Sequence, residues 1–213
     1  MGGVRLRQRI RVVYGRTGDL RFLSQLDVVR TVERSVRRSG LKVAFTEGFN
    51  PRVRLSFSPA LPTGVEAEGA WFEVVLEEPT PLVEIGSRLG AALPEGFGPV
   101  EAVPAGGGRE GPVTYSVRRA DGAGAPADRR SVEALRGEAG RVPGLLDAEW
   151  QAEAIRIRMS PSCGGARLRE ALALLGLTGP DAPPVVVRAR LGDSPLVIER
   201  TNERTDGGAP EPG

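Results

Sequence analysis

The sequence predicts an α+β fold: a ferredoxin-like βαββαβ N-terminal unit followed by a smaller α+β unit of related pattern. Three observations lead there. Apolar residues alternate at 4–14 and recur at helical spacing over 24–39, and short strand-like runs follow at 52–58 and 71–76. An amphipathic stretch at 81–93 and a strand at 97–103 then complete the βαββαβ order. A flexible segment, PAGGGREG at 104–111, separates this order from a partial repeat of it.

The first strand, 4–14, places Val4, Leu6, Ile10, Val12 and Tyr14 on one face and Arg5, Arg7, Arg9 and Arg11 on the other. Ser24 is the expected N-cap of the next helix, with Asp27 where a capping box wants an acid. Leu26, Val29, Val32 and Val36 mark its apolar stripe, and Gly40 stands at the left-handed C-cap position. Arg30, Arg34, Arg37 and Arg38 share its opposite face. A short strand is expected at 41–45 and a Gly-Phe-Asn-Pro turn at 48–51. Over 52–58, Val53, Leu55 and Phe57 point inward while Arg52, Arg54, Ser56 and Ser58 point outward. A loop over 59–69 precedes the strand at 71–76.

Past the linker, strands are expected at 113–118, 154–159, 185–190 and 196–200, with helices at 130–136 and 165–175. The expected boundaries are a first domain at 1–104, a linker at 105–112, a second unit at 113–203 and a disordered tail at 204–213.

Composition excludes several chemistries. There is no histidine, so histidine acid–base catalysis, triads and histidine metal sites are out of reach. One cysteine, Cys163, permits no internal disulfide and no thiolate set for a cluster or zinc knuckle, and it fits a reducing cytoplasm. Alone before a helix, without a base nearby, Cys163 reads as incidental. No apolar run approaches the ~18–20 residues that span a bilayer. No catalytic signature is present. Asp27 and Glu47 are carboxylates near the basic segment, with a cap the simpler role for Asp27.

Charge is distributed unevenly. Residues 1–60 carry 13 basic and 4 acidic groups, whereas 61–213 carry 16 basic and 23 acidic ones. Codon bias toward arginine explains the near-absence of lysine but not this gathering of positive charge. A polyanion partner for the first segment is the physical expectation, against the simpler reading of a solvated charged face.

The segments YGRTGDLRFLSQLD (14–27), VRRSGL (36–41) and FTEGFNPRVRLSFSPALPTGVEAEG (45–69) resemble the radical-SAM-linked family of domains of unknown function. The matching motif residues include Phe22, Leu23, Ser24, Asp27, Gly48, Phe49, Pro51, Ser56, Phe57, Pro62 and Gly64. The resemblance implies a cobalamin-binding-type radical SAM protein as partner. Iron–sulfur cluster and S-adenosylmethionine are then expected in that partner and not in this chain. Gln25 and Arg52 stand where many relatives have histidine, so no mechanism built on those histidines transfers. Family members are often encoded near an E/G-type ribonuclease and ribosomal protein genes, which points to RNA by association.

The expected RNA-contacting residues are Arg9, Arg11, Gln25, Arg30, Arg34, Arg37, Arg38, Asn50, Arg52 and Arg54, arginines on phosphates and the two amides on bases or ribose. Two alternatives stand beside this RNA-binding accessory role. One is a histidine-free endoribonuclease or RNA-modifying enzyme. The other is a docking module for the radical SAM partner.

Overall fold

The computed structural model describes residues 7–106, 111–162 and 165–191, without side-chain detail at 165–166. The expectations at 4–6, 107–110, Cys163, 196–200 and the tail lie outside these residues.

Two βαββαβ units follow one another. The first is β1 (Gln8–Arg16), α1 (Gln25–Arg38), β2 (Leu55–Phe57), β3 (Val65–Leu76), α2 (Leu82–Ala92) and β4 (Phe97–Pro104). The second is β5 (Val113–Arg119), α3 (Arg129–Gly137), β6 (Leu145–Gln151), β7 (Ala154–Met159), α4 (Gly165–Leu174) and β8 (Val185–Leu191). They form one eight-stranded sheet in the order β4-β1-β3-β8-β5-β7-β6, with β2 also on β3. Within each unit every pairing is antiparallel, and each has its fourth strand beside its first and its third between first and second. That is the ferredoxin-like order, present twice. The units join by one parallel ladder, Val65–Glu68 against Val187–Arg190.

Alternation explains which side each residue takes. Ile10, Val12, Tyr14, Phe72 and Val74 in the first unit are buried under the helices, as are Val117, Ile155 and Ile157 in the second. Val65, Ala67, Val187 and Ala189 carry the apolar layer across the seam, so the core is continuous. Full burial of each large apolar side chain contributes about 1.5–3 kcal/mol. The register slips between Tyr14 and Arg16, where Gly69 adopts φ 85°. Only glycine takes that angle without strain.

The expected N-cap holds: Ser24 Oγ accepts from the Asp27 N–H at 3.2 Å and donates to its carboxylate at 2.6 Å. Gly40, at φ 70°, follows the helix end.

Several local expectations need correcting. The buried stripe of α1 is Val28, Val32, Ser35 and Val36, while Leu26 is exposed and Val29 only half-buried. Val32 and Val36 are common to both stripes, and Val28 and Ser35 take the places expected of Leu26 and Val29. The strand expected at 41–45 is reduced to two isolated bridges, Val43 to Leu76 and Phe45 to Val53. The strand expected over 52–58 keeps only Leu55–Phe57, and Ser58 is buried, with its N–H donating to Trp71 O. The loop at 59–69 is shorter than expected because Val65 already begins β3, held by the parallel ladder to a strand 122 residues later. β6 was not expected at all. Its LLDAEWQ pattern alternates poorly because a register shift falls between Leu145 and Asp147.

Candidate functional site

Motif residues gather at the two opposite ends of α1, a helix of 14 residues and so about 21 Å long. At its N-terminal end sits a 3-10 turn, Gly18–Phe22. Gly64 N–H donates to Arg21 O at 2.8 Å, and Gly18 N–H donates to Glu66 Oε1 at 3.2 Å. Gly64 is therefore held against the turn that ends at Phe22, next in the chain to Leu23 and the Ser24 cap. Glu66 is buried and also receives Arg188 Nε at 2.7 Å, with Arg21 Nη1 3.7 Å away. This corner thus ties the first unit to the second. Phe22 remains half-exposed beneath the Arg21 guanidinium, and neighbouring Leu26 is exposed.

Arg16 lies beneath the same corner, 4% exposed. One Nη donates to Val65 O at 3.4 Å, and its Nε has no hydrogen-bond partner among the described residues. Burial lowers the Arg16 pKa and pushes the Tyr14 hydroxyl up to about 12, the guanidinium opposing the latter shift.

Beyond the other end of α1, residues 44–54 form a protruding hairpin. Thr46 N–H donates to Arg52 O at 2.8 Å and Arg54 N–H to Ala44 O at 3.0 Å. The Thr46 hydroxyl accepts from Arg52 N–H at 3.0 Å. Gly48, at φ 120°, makes the reversal, and Phe49 at the tip is fully exposed to solvent. Asn50 and Pro51 are exposed beside it. The side chains of Arg52 and Arg54 make no hydrogen bond or ion pair among the described residues. A groove of about 330 Å³ leads from Arg54 along Leu55 and Ser56 to Arg9 and Glu73. Phe57 is half-buried against the core instead, its ring tilted 39° to that of Phe72 with the centres 6.1 Å apart.

Most of the other arginines expected to meet RNA are engaged within the chain. Glu73, itself buried, accepts from Arg11 at 2.8 and 3.1 Å and pairs with Arg9 at 2.6 Å. Arg11 also lies 4.0 Å from the Trp71 ring centre. Arg37 pairs with Glu33 at 2.9 Å and lies 5.2 Å from the Phe45 ring centre. Arg38 donates to the Ala92 carbonyl at 2.8 Å, where it caps α2. Arg30 is 3.8 Å from Asp27, and Arg34 donates only to Arg30 O. A cleft of about 440 Å³ runs between Arg34, Arg37, Arg38 and Pro94. Gln25 is half-buried in the first turn of α1, so it and Asn50 sit at opposite ends of the helix. The structure does not bring the two amides together. It likewise separates Asp27, which the Ser24 cap engages, from Glu47 in the hairpin.

Glu73, Trp71 and Glu66 are the partners that sequence reasoning missed. All three lie on the long β3, and a carboxylate in a strand gives no sign of which arginine it will face.

Residues 9–121 match the profile of an uncharacterized protein family conserved in bacteria (DUF2344), and the chain belongs to that family. The match spans the whole first unit and β5. No curated protein matches the chain. Among the described residues no helix is long and apolar enough to cross a membrane, and no cluster of histidine, cysteine or carboxylates could hold a metal ion.

Proposed function

We propose that this protein is an RNA-binding accessory factor that acts with a separate cobalamin-binding-type radical SAM enzyme. The observation that carries the reading is the hairpin tip: a fully exposed Phe49 between Gly48 and Asn50, followed by Arg52 and Arg54 with no acidic partner among the described residues. An aromatic face open to solvent takes a base by stacking, and adjacent guanidiniums take its phosphates. Asn50 supplies an amide for a base edge. The cluster chemistry belongs to the partner in this reading, since one cysteine cannot supply the several thiolates a cluster needs.

Titration of structured RNA across a salt series tests this. Phe49→Ala should weaken binding by about 1–3 kcal/mol, one stacked base. Arg52→Gln/Arg54→Gln should flatten the salt slope by about one to two. No binding by the wild type at low salt would sink the reading.

The exposed Phe22–Leu26 pair favours a second reading, docking on the radical SAM partner. Phe22→Ala/Leu26→Ala should then weaken partner binding and leave RNA binding intact. The enzymatic alternative has less support, because Asp27 and Glu47 stand a helix length apart. Loss of RNA cleavage on changing either would revive it.

A further inference from the structure

The face of the sheet that carries no helix is continuous across both units, and in the second it is lined with arginine. On β7, Arg156 and Arg158 are exposed on this face, opposite Ser116 and Thr114 of β5. Arg118 follows on β5, also exposed. Arg188 on β8 sits in register with Ser116, but Glu66 and Glu68 take its guanidinium at 2.7 and 3.3 Å. Arg118, Arg156 and Arg158 have no such partner: their side chains make no hydrogen bond or ion pair among the described residues. Glu149 opposes Arg156 in the ladder yet forms no ion pair with it, and Asp147, opposite Arg158, is taken by Arg136 at 3.0 Å.

Residues two apart in a strand stand about 6.6–6.8 Å apart on one face. Like charges held that close repel, which destabilises the bare sheet. This chain places three on adjacent strands in a unit, 113–191, whose other nine basic residues are matched by nine acidic ones. The small Thr114 and Ser116 between them leave the patch open and supply hydroxyls. The same face continues past Glu66 and Glu68 to Arg9, Arg54 and the groove that ends at the hairpin.

We infer that the helix-free face of the second unit, through Arg118, Arg156 and Arg158, is a phosphate-binding track for single-stranded RNA. It extends the site at the hairpin and rests on the reading of that site as RNA-binding. The strand stacks a base on Phe49 and lays its backbone across the sheet, with Thr114 and Ser116 donating to phosphate oxygens. Short RNA needs the hairpin alone; long RNA uses both.

The test compares short and long oligouridylate on the full chain, in a salt series, for wild type, Phe49→Ala, Arg156→Gln/Arg158→Gln and Arg156→Glu/Arg158→Glu. Thermal melting confirms that each variant is folded. The glutamine pair should leave short RNA unaffected and lower the long-RNA salt slope by about 1.4, two single-strand contacts. The glutamate pair should weaken long RNA further. If both pairs match the wild type on long RNA while Phe49→Ala loses binding, the track is refuted and the hairpin reading stands. If Phe49→Ala is silent and the arginine pairs lose binding at both lengths, the hairpin reading fails and the sheet face is the site by itself. Absence of any wild-type binding overturns both.

Discussion

The two units share a strand order but leave arginines free in different places. The first, 8–104, balances 12 basic against 12 acidic residues, and most of its arginines are engaged internally: Arg9 and Arg11 on Glu73, Arg37 on Glu33, Arg38 on the end of α2. The second, 113–191, has 12 basic and 9 acidic residues, and its Arg118, Arg156 and Arg158 face solvent with no hydrogen bond or ion pair among the described residues. The gathering of positive charge in residues 1–60 therefore says little about where charge is available, because Glu66 and Glu73 further along the same unit take up Arg21, Arg9 and Arg11. A guanidinium already held by a carboxylate offers little to a phosphate, because binding one means giving up the other.

The largest test of the comparison concerns the shared core. Phe72→Ala, at a fully buried site on β3, should cost about 3–5 kcal/mol, and Ile155→Ala on β7 about 2–5 kcal/mol. Because β3 and β8 join the units into one sheet, each change should lower a single calorimetric transition. Two transitions, each moved by only one variant, would show that the units melt apart.

The next concerns paired against unpaired charge. Glu73→Gln removes the charge and one of the two acceptor oxygens that hold Arg9 and Arg11, and should cost about 1–3 kcal/mol in urea unfolding. Glu149→Gln on the second unit, with no ion pair to lose, should leave the midpoint where it was. Equal effects would erase the contrast.

Smaller effects separate the helix caps. Ser24→Ala should cost about 1 kcal/mol. Asp128 caps α3 by accepting from the Ser131 N–H at 2.9 Å, and that bond holds its carboxyl below the ordinary range. A lowered carboxyl pKa contributes stability that is present above the unfolded value, near 4, and lost as pH falls through the folded one. The deficit of Asp128→Ala should therefore shrink in acid while that of Ser24→Ala persists, as parallel melts at neutral and low pH would reveal.

Smallest at neutral pH is Tyr14→Phe. Its hydroxyl is pushed from 10.0 to about 12, so the folded state keeps a proton that the unfolded state gives up. Wild-type stability should fall between pH 10 and 12, and the variant should lose that part of the decline. A wild-type profile flat over this window would contradict the burial.

Much of this was legible in residues whose message is local. Ser24, Asp27 and Gly40 delimit α1, because a cap bonds within one turn and a left-handed residue needs only its own backbone. The alternation in AIRIRM (Ala154–Met159) carries the second arginine face in the same local way. By itself the sequence determined the helices, most of the strands, the ferredoxin-like order of the first unit and the exclusion of histidine chemistry. Tertiary structure alone decided the start of β3, the repeat completed by β6, the one sheet the units share, and which arginines remain available. Those outcomes depend on pairings between residues far apart in the chain, such as Glu66 with Arg188, and a strand's own pattern does not say what lies beside it.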